Sequence, residues 1–220
     1  MIYVNHADLG GQPGHGAVQP EPEGEPFHAA WEPRVHAVTL AMGATGCWNI
    51  DMSRAARETL PDYAQLSYYE KWLGGLEVLL RQFGLLQAAE IAQGGVLHPA
   101  RPLARVLRAD DVGATLARGA PTERASAQAP RFEIGASVRT RADAVAHHTR
   151  LPGYTRGRRG TVEARHGAHV FADSHAQGLG EQPCWLYTVV FDGHDLWADE
   201  PGAQGLKVSI DAWDPYLEPA

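Results

Sequence analysis

The spacing of apolar residues along this chain changes partway, and that change limits its folds more than any other feature. Up to about residue 118 they recur at three- and four-residue steps, whereas from residue 131 they alternate. Between the two lies GAPTERASAQAP, residues 119 to 130, which is small, polar and without a period. A helix repeats its face every 3.6 residues and a strand every two, so one kind of element cannot satisfy both halves. The expected class is therefore α+β: a helical domain over 31–118, a linker over 119–130 and strands over 131–220. A chain of 220 residues is long enough for each half to bury a core of its own.

The clearest helix lies in SYYEKWLGGLEVLLRQFGLL, where Tyr69, Trp72, Leu73, Leu76, Leu79, Leu80 and Phe83 share a face and Gly84 can close it. Gly74 and Gly75 sit inside it, each costing about 1 kcal/mol against alanine, which points to close approach of another backbone at that turn. Val35, Val38, Leu40 and Met42 suit a shorter helix over 31–42, entered through Pro33. Further short helices are expected over Leu86 to Ala92 and Asp110 to Ala117, the second capped by Asp110 or Asp111. The stretch CWNIDMS reads as a turn, with Arg54 just after it.

Residues 1–30 hold Gly10, Gly11, Gly14, Gly16 and the run PEPEGEP, a composition that supports neither helix nor strand. Such an arm is disordered or laid across a partner, and the aromatic anchor Phe27 favours the partner. In the second half FEIGASVRT, GTVEARHG, WLYTVVF and GLKVSIDAW are the strand candidates. Short strands leave edges to hide, and a small, partly open barrel of the SH3-like type hides them economically.

A net charge of −7 repels nucleic acid and anionic membrane surfaces, so neither is expected as a partner. One basic run, HTRLPGYTRGRRGTVEAR, interrupts that acidity, and its glycines suit a tight turn between strands. The first residues show neither a basic start nor an apolar run, and a cytoplasmic, soluble protein is expected. Cys47 and Cys184 are too few for a disulfide framework or a four-cysteine cage. Eleven histidines invite a metal reading, but His166 and His169 would face opposite sides of a strand and no HExxH pattern occurs, so no metal site is expected on this chain. Hydrolase elbow, P-loop and dinucleotide fingerprint are absent as well. Arg54 and Arg150 stand beside distinctive sequence, yet by residue type alone a surface salt bridge is the commoner fate of an arginine.

Taken together and in order, HADLGGQPGHG, EPFHAAWEPRV, NIDMSRAARETLP, SYYEKWL, HTRLPGYTRGRRGTV and the closing YTVVF, LW and WDPYLEP resemble the nitrile hydratase β-subunit family across nearly the whole chain. The resemblance implies a subunit of a hydro-lyase that hydrates nitriles to amides with an α subunit. It further implies an αβ pair, α2β2 as a heterotetramer, and Fe(III) or Co(III) on the α subunit's C-x-x-C-S-C motif with two cysteines oxidised to sulfinate and sulfenate. By matching motifs, Arg54 and Arg150 carry the family's two essential β arginines. A guanidinium offers a rigid fork of donors to such sulfur oxygens and never loses its charge. Tyr68 and Trp72, one turn apart, would border the substrate channel, with Ile50 and Ser53 as further pocket candidates. The alternatives are a component of the related thiocyanate hydrolase, disfavoured because its β-like part is split over two chains, and a stand-alone SH3-like binding or activator protein, disfavoured because activators resemble only the helical part.

Overall fold

A computed structural model describes residues 3–198 and 200–220, which fall into two compact units, one ending at Gly119 and the other starting at Ala120. The chain is mixed helix and antiparallel sheet, with the helices that build a core in the first unit and the sheet in the second.

The first unit holds α1 (Glu32–Gly43), α2 (Ile50–Glu58), α3 (Tyr68–Gln82), α4 (Ala88–Gln93) and α5 (Val112–Arg118). Pro33 sits in the first turn of α1, where its missing N–H costs nothing, and the Glu32 carboxylate takes the N–H groups of His28 and Ala29 at 2.5 and 3.3 Å. Of the apolar set expected to face inward on α1, Val35 is buried while Val38 is exposed. Ser67 and Glu70 open α3, the carboxylate of Glu70 accepting the Ser67 N–H at 2.7 Å. Gly84 follows its end with φ of 65°, a conformation that favours glycine.

The glycine pair behaves as its cost suggested. A Cβ on Gly75 would lie 2.4 Å from Cγ and 3.3 Å from the backbone nitrogen of Arg57, and one on Gly74 would lie 3.0 Å from Leu60 Cδ1. Helix α2 and the turn after it therefore press on α3 at that point. Around this contact Trp48, Ala56, Leu76 and Leu79 form a small core, with Met42, Cys47, Met52 and Phe83 packed against it.

Helix α2 corrects the turn expected at CWNIDMS. Asn49 caps it, its side chain accepting the Met52 N–H at 2.8 Å, and Asp51 stands in its first turn. Its inward positions are mostly polar, namely Asp51, Ser53 and Glu58 beside Ala56, so apolar spacing had little to report there. At α5 Asp111 is the N-cap residue, as expected, though its side chain makes no cap hydrogen bond, and a 3-10 turn over Ala109–Asp111 leads into the helix. In the arm, the His6 N–H reaches the Glu58 carbonyl at 2.8 Å and the Tyr3 hydroxyl the Glu58 carboxylate at 2.6 Å. The Phe27 ring lies 5.3 Å from Tyr69 and 5.9 Å from His36.

The second unit holds β1 (Glu123–Arg124), β2 (Ser137–Thr140), β3 (Arg159–His169), α6 (Ala172–Ala176), β4 (Cys184–Asp192), α7 (Gly193–Leu196), β5 (Lys207–Trp213) and β6 (Leu217–Pro219). All pairings are antiparallel in the order β5-β4-β3-β2-β6, with β1 on the far end of β3, so two residues of the 119–130 stretch are strand. Only the last four residues of FEIGASVRT are strand; Phe132 enters the core and a turn over 133–136 precedes β2. Helices α6 and α7, too short for a period to register, were not expected.

The strand path among the described residues is open, β5 and β6 ending it unpaired with each other, and no closed barrel forms. Two register shifts on β3 against β4 bend the sheet instead. The core of this unit buries Phe132, Val138, Leu151, Val162, Tyr187, Val189, Phe191 and Tyr216. Gly160 lets β4 pack closely, since a Cβ there would meet Val189 at 2.6 Å and the Val190 carbonyl at 2.9 Å.

Candidate functional site

In the first unit the expected residues gather on α2 and α3. Arg54 rises from the first turns of α2 and donates to Asp51 at 2.9 Å. The two ends of this pair differ: the Asp51 residue is 4% exposed, while the Arg54 side chain is 44% exposed. The carboxylate thus holds one donor of the fork from inside the fold, and the rest of the guanidinium faces outward. Ile50, at the start of α2, is exposed, whereas Ser53 is buried with its hydroxyl and carbonyl taken by Arg57 at 3.0 and 3.1 Å.

Tyr68 and Trp72 do share a face of α3, their rings 5.7 Å apart. Tyr68 is 63% exposed, and Trp72 is partly covered by His36, 5.7 Å away, and by the Arg57 guanidinium, 4.8 Å above its ring. Arg57 is the residue that sequence reasoning passed over. It ties Ser53 on α2 to Trp72 on α3 and fills the notch left by Gly75. Burial lowers its pKa, yet a guanidinium stays charged at any working pH. Its sequence signal was the pairing of a second arginine one turn after Arg54 with a glycine doublet that needed something to press into it.

In the second unit Arg150 sits exposed in the loop between β2 and β3, and its backbone N–H donates to the Tyr216 hydroxyl at 3.0 Å. The base of that loop is closed by the buried Thr140 hydroxyl, which bonds the Thr155 carbonyl, and by Gly157 at φ of 68°. Tyr216 in turn donates to Asp173 in the first turn of α6. Burial pushes the Asp173 carboxyl up, against the opposing pull of the Tyr216 hydrogen bond and of His147, whose Nδ1 lies 3.7 Å away. Burial beside Asp173 also pushes the Tyr216 phenol far up, so it stays protonated. A cavity of about 240 Å³ opens here, lined among others by Arg141, His147, Thr149, Arg156, Asp173 and Tyr216.

The remaining sequence candidates have in-chain duties. His166 meets the Thr188 hydroxyl at 2.7 Å and His169 the Thr122 hydroxyl at 3.0 Å. Among the described residues no three histidine, cysteine or acidic side chains are placed to hold a metal ion. In the basic run, Arg165 pairs with Glu133 at 3.0 Å, and Arg139 of β2 binds the Gly157 carbonyl of that turn at 2.8 Å. Among the described residues no helix is long and apolar enough to cross a membrane.

Two family profiles match the chain: "Nitrile hydratase beta subunit, N-terminal" over residues 4–112 and "Nitrile hydratase beta subunit, C-terminal" over residues 121–219. The nitrile hydratase subunit beta of a Rhodococcus species is 35% identical over 96% of this chain and 93% of its own length. The low-molecular weight cobalt-containing nitrile hydratase subunit beta of Rhodococcus rhodochrous is 36% identical over 97% of this chain and 98% of its own. Among solved structures, a recombinant apo thiocyanate hydrolase from Thiobacillus thioparus is 30% identical over 41% of this chain and 76% of its own, with a TM-score of 0.39.

Proposed function

The chain belongs to the nitrile hydratase β-subunit family, and from that premise we propose that Arg54 and Arg150 are its catalytic residues, reaching across a subunit boundary toward the α partner's active centre. As a β subunit the chain takes part, in a complex, in the hydration of nitriles to amides. In this reading the Fe(III) or Co(III) belongs to the α subunit, where it would supply Lewis-acid activation.

What this chain adds is preorganised charge. One observation carries the reading: each arginine has an exposed side chain and a buried partner, Asp51 holding one nitrogen of the Arg54 guanidinium and the Tyr216 hydroxyl holding the Arg150 backbone N–H. The Arg54 guanidinium, held at one nitrogen, loses less freedom when it binds oxidised cysteine oxygens, a fixed Arg150 backbone limits where its fork can reach, and donors set before the reaction need no reorganisation during it. Tyr68, exposed beside Trp72, supplies a hydroxyl and an aromatic wall for the substrate, and Ile50 adds apolar surface. Ser53 bears on that wall through Arg57.

The remaining organisation follows from the same reading. Residues 1–30 are an arm that wraps the α subunit, 31–118 a helical domain, 119–130 a linker and 131–220 a partly open, SH3-like barrel domain. The complex is an αβ pair doubled to α2β2, and it works in the cytoplasm.

The test uses the co-expressed complex. Arg54→Lys and Arg150→Lys each keep a positive charge but lose the fork, and a desolvated charged contact is worth roughly 2 kcal/mol or more, so kcat is expected to fall at least tenfold with assembly intact. Unchanged kcat in both variants would remove the role.

A further inference from the structure

Arg150 can hold its guanidinium in one place only if its backbone is fixed, and the group that fixes it comes from 66 residues away. Tyr216 ends the 3-10 turn over Asp214–Tyr216, between β5 and β6, with its ring 5.5 Å from Phe171 and 6.0 Å from Trp213. At 4% exposure it has little access to bulk water, so its hydroxyl finds its partners within the fold. A phenol has one proton to give and lone pairs to receive. The proton goes to Asp173, 5% exposed in α6, and this turns a lone pair toward the Arg150 N–H.

We propose that Tyr216 and Asp173 are positioning residues for Arg150, a buried relay that clamps the turn over residues 149–151 so that the guanidinium is presented in one orientation. The inference rests on the role given to Arg150 above. Three features make the clamp rigid. The hydroxyl of Thr149, the residue before, accepts the Leu151 N–H at 3.3 Å. Leu151, the residue after, is buried in the sheet's core. Asp173 is itself held at the start of a helix next to Phe171, whose ring packs on Tyr216. The turn thus has a bonded residue on one side of Arg150 and an apolar anchor on the other, with the relay on Arg150 itself.

The experiment compares three complexes, Tyr216→Phe, Arg150→Lys and the double variant, in kcat, KM and thermal midpoint. Phenylalanine keeps the ring and its packing while removing the hydroxyl that both donates and accepts. Loss of that hydrogen bond is expected to lower kcat roughly fivefold or more while KM changes by less than about twofold. The double variant is expected to be no slower than Arg150→Lys alone, because without the guanidinium there is nothing left to orient. A role in folding alone would instead lower the thermal midpoint and multiply the two losses. If Arg150→Lys is slow but Tyr216→Phe keeps wild-type kcat, or if the losses multiply, the relay is wrong and the role of Arg150 stands. If Arg150→Lys itself keeps full kcat, both ideas fall. Should Tyr216→Phe not assemble, Asp173→Asn carries the same comparison: it keeps an acceptor and loses its charge, and a loss that multiplies with Arg150→Lys overturns the relay.

Discussion

The two arginines at the centre of the proposal are held in opposite ways. Arg54 is fixed by a side chain three positions earlier on the same helix, through its own guanidinium. Arg150 is fixed through its backbone, by a hydroxyl 66 positions away that a third element holds. The first arrangement forms as soon as α2 does. The second requires the β2–β3 loop, α6 and the turn after β5 all to be in place, so it inherits the cooperativity of the whole unit.

That contrast can be broken at several points. The largest expected effect is on the non-local side: Leu151→Ala should cost about 2–5 kcal/mol, as buried leucine truncations do. Urea unfolding of the chain reads it, and a loss below about 1 kcal/mol would mean the Arg150 loop is not pinned to the core. Next comes the helix contact that supports the local side. Gly75→Val pushes a branched side chain into Arg57 and its backbone, and overpacking of this kind costs about 1–3 kcal/mol. A thermal midpoint equal to wild type would show that α2 can retreat from α3. Asn49→Ala removes the cap of α2 at about 1 kcal/mol, and it should lower kcat of the complex as Arg54 loses its base. An equal fall in kcat from any unrelated mutation of similar stability cost would erase the link to Arg54.

The smallest effect concerns pH. Burial raises the Asp173 pKa in the folded chain above its unfolded value, so the folded state holds that proton more tightly. The contribution to stability is complete below the ordinary carboxylate range and is lost as pH rises through the raised value. Asp173→Asn, which cannot ionise, is therefore expected to unfold at a higher temperature than wild type near neutral pH, with the gap closing in acid. A gap that widened in acid would reverse the sign of the argument.

Legibility followed the same division between local and distant contacts. Helix α3, its ending at Gly84 and the need for a backbone against Gly74 and Gly75 were readable because spacing and glycine cost are properties of neighbouring residues. Apolar spacing could not show helix α2 because Asp51, Ser53 and Glu58 face inward, and polar residues carry no apolar period. The ordered motifs made the nitrile hydratase β-subunit family readable, and profiles of that family cover both halves. Arg57 escaped notice because its partners, Ser53, Trp72 and Gly75, come together only when two helices pack.

The sequence by itself determined the helical and alternating halves, the absence of cysteines enough for a metal cage, and the family, because each is written in residue types and spacings within short reach. The tertiary structure alone decided that the sheet stays an open path, that the Phe27 ring lies beside Tyr69, and that Tyr216 reaches the backbone of Arg150. Those outcomes depend on which distant segments meet, and hydrogen bonds and ring contacts across such distances leave no period along the chain.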